Sequence, residues 1–206
     1  MTHVLYVCAS PRGEHSAAGQ AAEVFLAALD GAVSVTRLDL FEMDLPEFGG
    51  VLAQAKQKTM FGQALDDDEA AQWSAVTSLV DQFLSADHVV FAVPMWNFSL
   101  PYKLKQYIDL ITHPGLTFTQ DKDGPRGVGS ASGTVIYARG GDYSPTDGQP
   151  DPYDFQSPYF KTWAALVGIS PLSEILVQRT LGGPDAQQHA VAGVTADLQQ
   201  LARQLA

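Results

Sequence analysis

The sequence predicts an α/β fold built on a five-stranded parallel sheet covered by helices on both faces, and three observations carry that expectation. Short apolar runs rich in β-branched residues recur along the chain, as strands covered on both faces require. Each run is followed by a segment of helical period, so strand and helix alternate five times. The 206 residues, 46% of them hydrophobic, supply a substantial core, and residues 1–206 show no composition shift that would mark a second domain.

His3 to Cys8 reads as the first strand, and a helix from Ser16 to about Leu29 turns Ala17, Ala18, Ala21, Ala22, Phe25 and Leu29 toward the sheet. Val33 to Leu40 is the second strand. The long connection from Phe41 to Asp68 holds Pro46, Gly49-Gly50 and the acidic triplet Asp66-Asp67-Asp68, with room for a short helix from about Val51 to Met60. The acids from Asp66 to Glu69 suit the positive end of a helix running through Ser85, and they read as a solvated cap. A metal cluster is disfavoured because neither His nor Cys lies nearby. Asp87 to Val93 is the third strand, and Pro101 opens a helix to about Thr112 at no loss of hydrogen bonds. Thr134 to Ala138 is the fourth strand. A Pro- and Tyr-rich loop then reaches Pro158, followed by a helix over Tyr159–Val167, a fifth strand over Ser173–Val177 and a last helix from about Pro184 to Gln204.

Charge and cysteine content narrow the function classes. With 12 basic against 23 acidic residues, the net charge of -11 opposes broad contact with nucleic-acid phosphates or an anionic membrane surface. Cys8 is the single cysteine and cannot form an intrachain disulfide, which is compatible with a reducing compartment. No apolar run approaches membrane-spanning length and no basic leader precedes an extended apolar stretch, so a cytoplasmic protein is expected.

In a five-stranded doubly wound sheet of order 2-1-3-4-5 the ligand crevice opens between the carboxyl ends of strands one and three, where the loops after strands one, three and four converge. The first loop offers the hydroxyls of Ser10 and Ser16 and the unpaired amides of a helix start at Ala17 and Ala18, which is an anion site. It carries neither GxGxxG nor GxxxxGK[ST], so a dinucleotide fold and a nucleotide triphosphatase lack support. The third-strand loop, Met95-Trp96-Asn97-Phe98, is an apolar shelf with an amide side chain and backbone amides among its rings, suited to a flat ligand with a polar edge. After Ala138, the segment Arg139-Gly140-Gly141 supplies two residues without side chains, where backbone can approach a ligand closely. Phosphate at one end, flat rings at the other and amides along the ring edge describe flavin mononucleotide (FMN).

These motifs resemble the FMN-dependent NAD(P)H:quinone oxidoreductases of the azoreductase family, in the flavodoxin-like superfamily. The resemblance rests on Ser10 and Ser16 around the first loop, on Pro94-Met95-Trp96-Asn97-Phe98, and on the helix Leu104-Lys105-Gln106-Tyr107-Ile108-Asp109-Leu110. It continues through Gly115-Leu116-Thr117-Phe118 and Arg139-Gly140-Gly141, covering nearly the whole chain in the right order. It implies a flavodoxin-like three-layer sandwich. It places the phosphate on Ser10, Ser16, Ala17 and Ala18, and the isoalloxazine between Met95, Trp96, Asn97 and Phe98 on one side and Ala138, Arg139, Gly140 and Gly141 on the other. Phe118 resembles the position that covers the flavin from a partner subunit. The resemblance further implies a homodimer, NADH or NADPH as donor, a quinone or azo compound as acceptor, and chemistry carried by noncovalent FMN without a catalytic triad.

The chain also departs from the family pattern. Ala17 and Ala18 stand where relatives often carry polar residues and offer only backbone amides. Ala138 replaces a frequent hydroxyl residue, and Trp96 replaces a frequent Tyr, trading a hydroxyl for a larger stacking face. His15 and His113, the histidines near the expected site, read as solvated or internally satisfied. A flavodoxin-type electron carrier would share the crevice and the acidic charge, but the Phe41–Asp68 segment and the PMWNF helix argue against it. A phosphoacceptor receiver module wants acids directly after strand one, where this chain has Ala9-Ser10-Pro11.

Overall fold

The computed structural model describes residues 1–183 and 185–205. In chain order the elements are β1 (Thr2–Cys8), α1 (Ala17–Ala27), β2 (Val33–Asp39), α2 (Gly50–Met60), α3 (Asp67–Leu84), β3 (His88–Pro94) and α4 (Tyr102–Ile111). They continue with β4 (Phe118–Asp121), β5 (Gly124–Gly127), β6 (Ser132–Ala138), α5 (Ser157–Val167), β7 (Leu172–Val177) and α6 (Ala186–Arg203). Pro184, the expected start of the last helix, lies outside the described residues.

The main sheet has five strands in the order β2-β1-β3-β6-β7, and each neighbouring pair is parallel. This is the expected 2-1-3-4-5 arrangement of the main-sheet strands. The numbering differs because an antiparallel hairpin, β4 with β5, is inserted before the fourth sheet strand. Strand alternation sorts the central strands between two cores. On one face Leu5, Val7, Val89, Phe91, Val93, Val135 and Tyr137 meet helix residues such as Leu79, Leu104, Ile108 and Trp163. On the other, Val4, Tyr6, Val90 and Ile136 pack with Phe25 of α1 and Leu198 of α6. Helices therefore cover both faces, and the three-layer arrangement follows.

The acidic start of α3 forms a capping box: Asp66 accepts the Glu69 amide at 3.0 Å, and Glu69 accepts the Asp66 amide at 2.9 Å. The cap is as expected, but Glu69 is not solvated. Its side chain is buried and accepts from Lys58 Nζ at 2.6 Å, because α2 lies directly across α3. Among the described residues no group of three His, Cys, Asp or Glu could hold a metal ion. No described helix is long and apolar enough to cross a membrane.

The hairpin is docked by backbone. A Cβ on Gly127 would collide with the backbone of Gly168, which closes α5 in the left-handed conformation (φ 90°). The ten residues of α4 rise about 15 Å away from the β3 exit. That length separates Phe118, at the start of the hairpin, from the exit loop of its own chain.

Candidate functional site

The loop between β1 and α1 is built around two buried serines. Ser16 is the N-cap of α1 and its Oγ accepts the Gly19 amide at 3.1 Å; Ser10 Oγ accepts the Arg12 amide at 3.4 Å. Each hydroxyl oxygen is thus engaged as an acceptor while its hydrogen stays free to donate. Among the described residues the amides of Ala17 and Ala18 find no acceptor. Their methyl groups are buried in the core beneath α1, so only their backbones are available. Free amides at the start of an 11-residue helix, flanked by two hydroxyls, attract an anion.

After β3 the chain makes a two-residue turn. Trp96 and Ser99 exchange both backbone hydrogen bonds at 3.0 Å, and the two residues between them have positive φ: Asn97 at 47° and Phe98 at 71°. Asn tolerates that conformation, whereas for Phe it is strained. The amides of Asn97 and Phe98 have no acceptor among the described residues. Trp96 leans on Phe41 (ring centroids 5.6 Å apart) and Tyr102 (6.3 Å). Phe98 sits between Tyr153 (5.2 Å) and Tyr143 (6.4 Å) of the long loop after β6 and remains 44% exposed.

The exit of β6 is held from one side only. The carbonyls of Arg139, Gly140 and Gly141 accept the amides of Thr180, Leu181 and Arg179, while the amides of Gly140 and Gly141 have no acceptor among the described residues. The Arg139 side chain turns inward and is 1% exposed. Its Nε donates to Gln156 Oε1 and its terminal nitrogen to Asp154 Oδ2, both at 3.0 Å. Arg139 therefore offers its backbone, not its guanidinium, to the crevice. A Cβ on Gly140 would meet the Leu181 side chain at 2.8 Å, and one on Gly141 would make ordinary contact with the Tyr143 ring at 3.4 Å.

The loops carrying Ser10, Ser16, Ala17 and Ala18, then Met95 to Phe98, then Ala138 to Gly141 leave adjacent parallel strands at the same end of the sheet. Phe118 lies beyond α4, half-buried at the hairpin. A groove of 590 Å³ adjoins the shelf and is lined by Phe48, Trp96, Asn97, Tyr102, Lys105 and Asp109 among others. Another, of 540 Å³, lies between α1 and β2, where Glu23, Asp39 and the Arg37–Glu23 pair make it a poor receptor for an anion.

The two histidines take quiet roles. His15 is exposed. His113 is buried edge-on to Trp73, with Nε2 3.3 Å from the Lys56 carbonyl, and burial lowers its pKa. Sequence reasoning did not single out Gln156, Asp154, Tyr143 or Tyr153. The Tyr-rich character of the loop after Arg139 was its one local signal.

Two hydroxyls and three strips of acceptor-free amides, one of them a helix start, surround an aromatic shelf and fit a phosphate-bearing planar heterocycle, and the fold is that of the flavodoxin-like class. The family model described as flavodoxin-like fold matches residues 2–202. The chain is 36% identical over 212 residues to a Pseudomonas fluorescens protein named FMN-dependent NADH:quinone oxidoreductase 3, covering 100% of this chain and 98% of the relative. It is 40% identical over 193 residues to the FMN-dependent NADH:quinone oxidoreductase of Nitratidesulfovibrio vulgaris, covering 91% and 92%. An azoreductase crystal structure from Bacillus anthracis superimposes with a TM-score of 0.87 at 27% identity, covering 99% of this chain and 100% of that one. The chain belongs to the family of FMN-dependent NADH:quinone oxidoreductases and azoreductases.

Proposed function

We propose that this chain binds FMN noncovalently between the exits of β1, β3 and β6 and, as a cytoplasmic homodimer, oxidises NADH or NADPH with reduction of a quinone or azo acceptor. The observation that carries this reading is the convergence of acceptor-free amides at Ala17–Ala18, Asn97–Phe98 and Gly140–Gly141. When bound, FMN would supply the two-electron redox chemistry that links the nicotinamide to the acceptor.

The residues of the chain divide the remaining work. Ser10 and Ser16 donate hydroxyl hydrogens to the phosphate beside the Ala17 and Ala18 amides. Asn97, Phe98, Gly140 and Gly141 would offer their amides to the ring, while Met95, Trp96 and Ala138 would exclude water from it. The exposed rings of Phe98, Tyr102 and Phe48 form an apolar surface that a second copy would cover, bringing its own Phe118 over the ligand slot. One slot serves donor and acceptor in turn. Initial-rate plots at several fixed quinone concentrations should give parallel double-reciprocal lines; intersecting lines would mean that both substrates bind together.

A further inference from the structure

We propose that the buried side chains of Arg139, Asp154 and Gln156 form a strut that positions the ring end of the crevice, so that Arg139 acts on the cofactor through the protein and not by contact. The inference rests on the FMN reading above and assigns these three residues a positioning role.

A guanidinium removed from water must be paired, and Arg139 is the largest fully buried side chain among the described residues. It meets Gln156 and Asp154 through two bonds of 3.0 Å and lies 5.3 Å from the Tyr137 ring centre and 5.9 Å from that of Tyr143. Gln156 is itself fully buried, and its Nε2 donates to the Val93 carbonyl at 3.2 Å, two residues before Met95. Asp154 accepts from the Ser157 amide at 2.9 Å and the Ser157 hydroxyl at 2.5 Å, which fixes it to the start of α5. Burial would raise its carboxyl pKa, but the Ser157 bonds and the Arg139 charge outweigh burial and lower it. Phe155, between these two residues, shares its amide between the Phe98 carbonyl and the Tyr153 carbonyl, both at 3.1 Å.

One tripeptide, Asp154-Phe155-Gln156, thereby ties four parts together: the exit of β6, the exit of β3, the left-handed turn and helix α5. A left-handed Phe persists only where its surroundings over-determine it, and Phe98 is gripped through its carbonyl from this strut. A buried ion pair with a buried amide adds little stability over apolar residues of the same volume. What the polar strut supplies is a fixed distance between the two walls that present amides to the ring.

The test compares Gln156→Ala, Gln156→Glu and wild type for binding of FMN and of riboflavin, which has the ring but no phosphate. It also follows the visible spectrum of the bound flavin and hydrogen exchange of the Phe155 amide in cofactor-free protein. In Gln156→Ala we expect both affinities to fall by one common factor of about tenfold, as loss of buried hydrogen bonds implies. The FMN-to-riboflavin ratio stays constant, the bound-flavin spectrum shifts, and the Phe155 amide exchanges faster. Gln156→Glu keeps the acceptor for Arg139 and recovers part of the affinity. A lower melting temperature with unchanged riboflavin affinity and spectrum would reduce the strut to a stability element and overturn the proposal. So would selective loss of FMN over riboflavin, which would place its action at the phosphate. If wild type binds neither flavin, the FMN reading fails. The strut is then judged by exchange alone, and a Phe155 amide equally protected in wild type and Gln156→Ala overturns it.

Discussion

Ser16 Oγ accepts the backbone amide of Gly19 at 3.1 Å, so the residue that caps α1 also brackets the two amides, Ala17 and Ala18, that lack an acceptor. Cap and proposed phosphate site are thus the same side chain, and a substitution can separate them. Ser16→Asp keeps the cap, and α1 with it, but sets a carboxylate against the phosphate. FMN affinity should fall by about tenfold or more while the melting temperature holds, whereas Ser16→Ala should also cost about 1 kcal/mol of stability. Calorimetric titration with FMN and thermal melts of both variants check this. Equal FMN affinity in Ser16→Asp would mean that the phosphate sits elsewhere.

His88 links pH to stability. It is buried between Ser132 Oγ, 2.6 Å from Nδ1, and Thr134 Oγ1, 3.0 Å from Nε2, with its ring stacked on Phe25. Burial lowers its pKa to about 4, so the folded protein keeps it neutral where the unfolded chain takes up a proton. Stability from this group is complete above the unfolded value near 6.5 and is lost as pH falls toward about 4, by roughly 3 kcal/mol in all. Urea unfolding across that range should show the slope, and His88→Leu should remove its share. An unchanged slope in the variant would assign the acid sensitivity to other groups.

Tyr107 lies wholly inside the core, and its hydroxyl has no hydrogen-bond partner among the described residues. Removing an unsatisfied buried hydroxyl releases a desolvation cost, so Tyr107→Phe should leave stability unchanged or raise it by about 1 kcal/mol. Equilibrium denaturation measures the difference. A loss of that size would reveal a partner for the hydroxyl.

Phe118 stands at the far end of α4 from the Met95–Phe98 turn of its own chain, so any cover it provides must go to a second copy. Phe118→Ala should lower kcat/KM for quinone while flavin content per subunit stays at the wild-type level. Flavin loss with unchanged turnover per bound flavin would contradict the lid assignment. Sedimentation of wild type should show a dimer at micromolar concentration, and a stable, active monomer would also contradict it.

Much of the fold was legible because β1, β3 and β6 are fully covered strands whose apolar runs stand out against their flanks. The hairpin was not. Phe118–Asp121 and Gly124–Gly127 are four residues each, the second holds two glycines and a proline, and neither alternates. Their docking depends on the contact between Gly127 and Gly168, which no local pattern announces. At the site, the loops could be placed by strand order, but side-chain direction could not. Arg139 belongs to the segment expected to line the ring, and nothing in that segment tells that its guanidinium is turned to partners 15 and 17 positions away. The left-handed Phe98 was equally hidden, since it is held by a carbonyl bond from Phe155 and not by its own preference.

The central claim is most directly tested by anaerobic absorption spectroscopy of the FMN-loaded protein. Stoichiometric NADH or NADPH should bleach the oxidised-flavin band, and one equivalent of quinone, added after the oxidised nicotinamide is removed, should restore it fully. A band that survives the nicotinamide, or that stays bleached when quinone is added, would contradict the account.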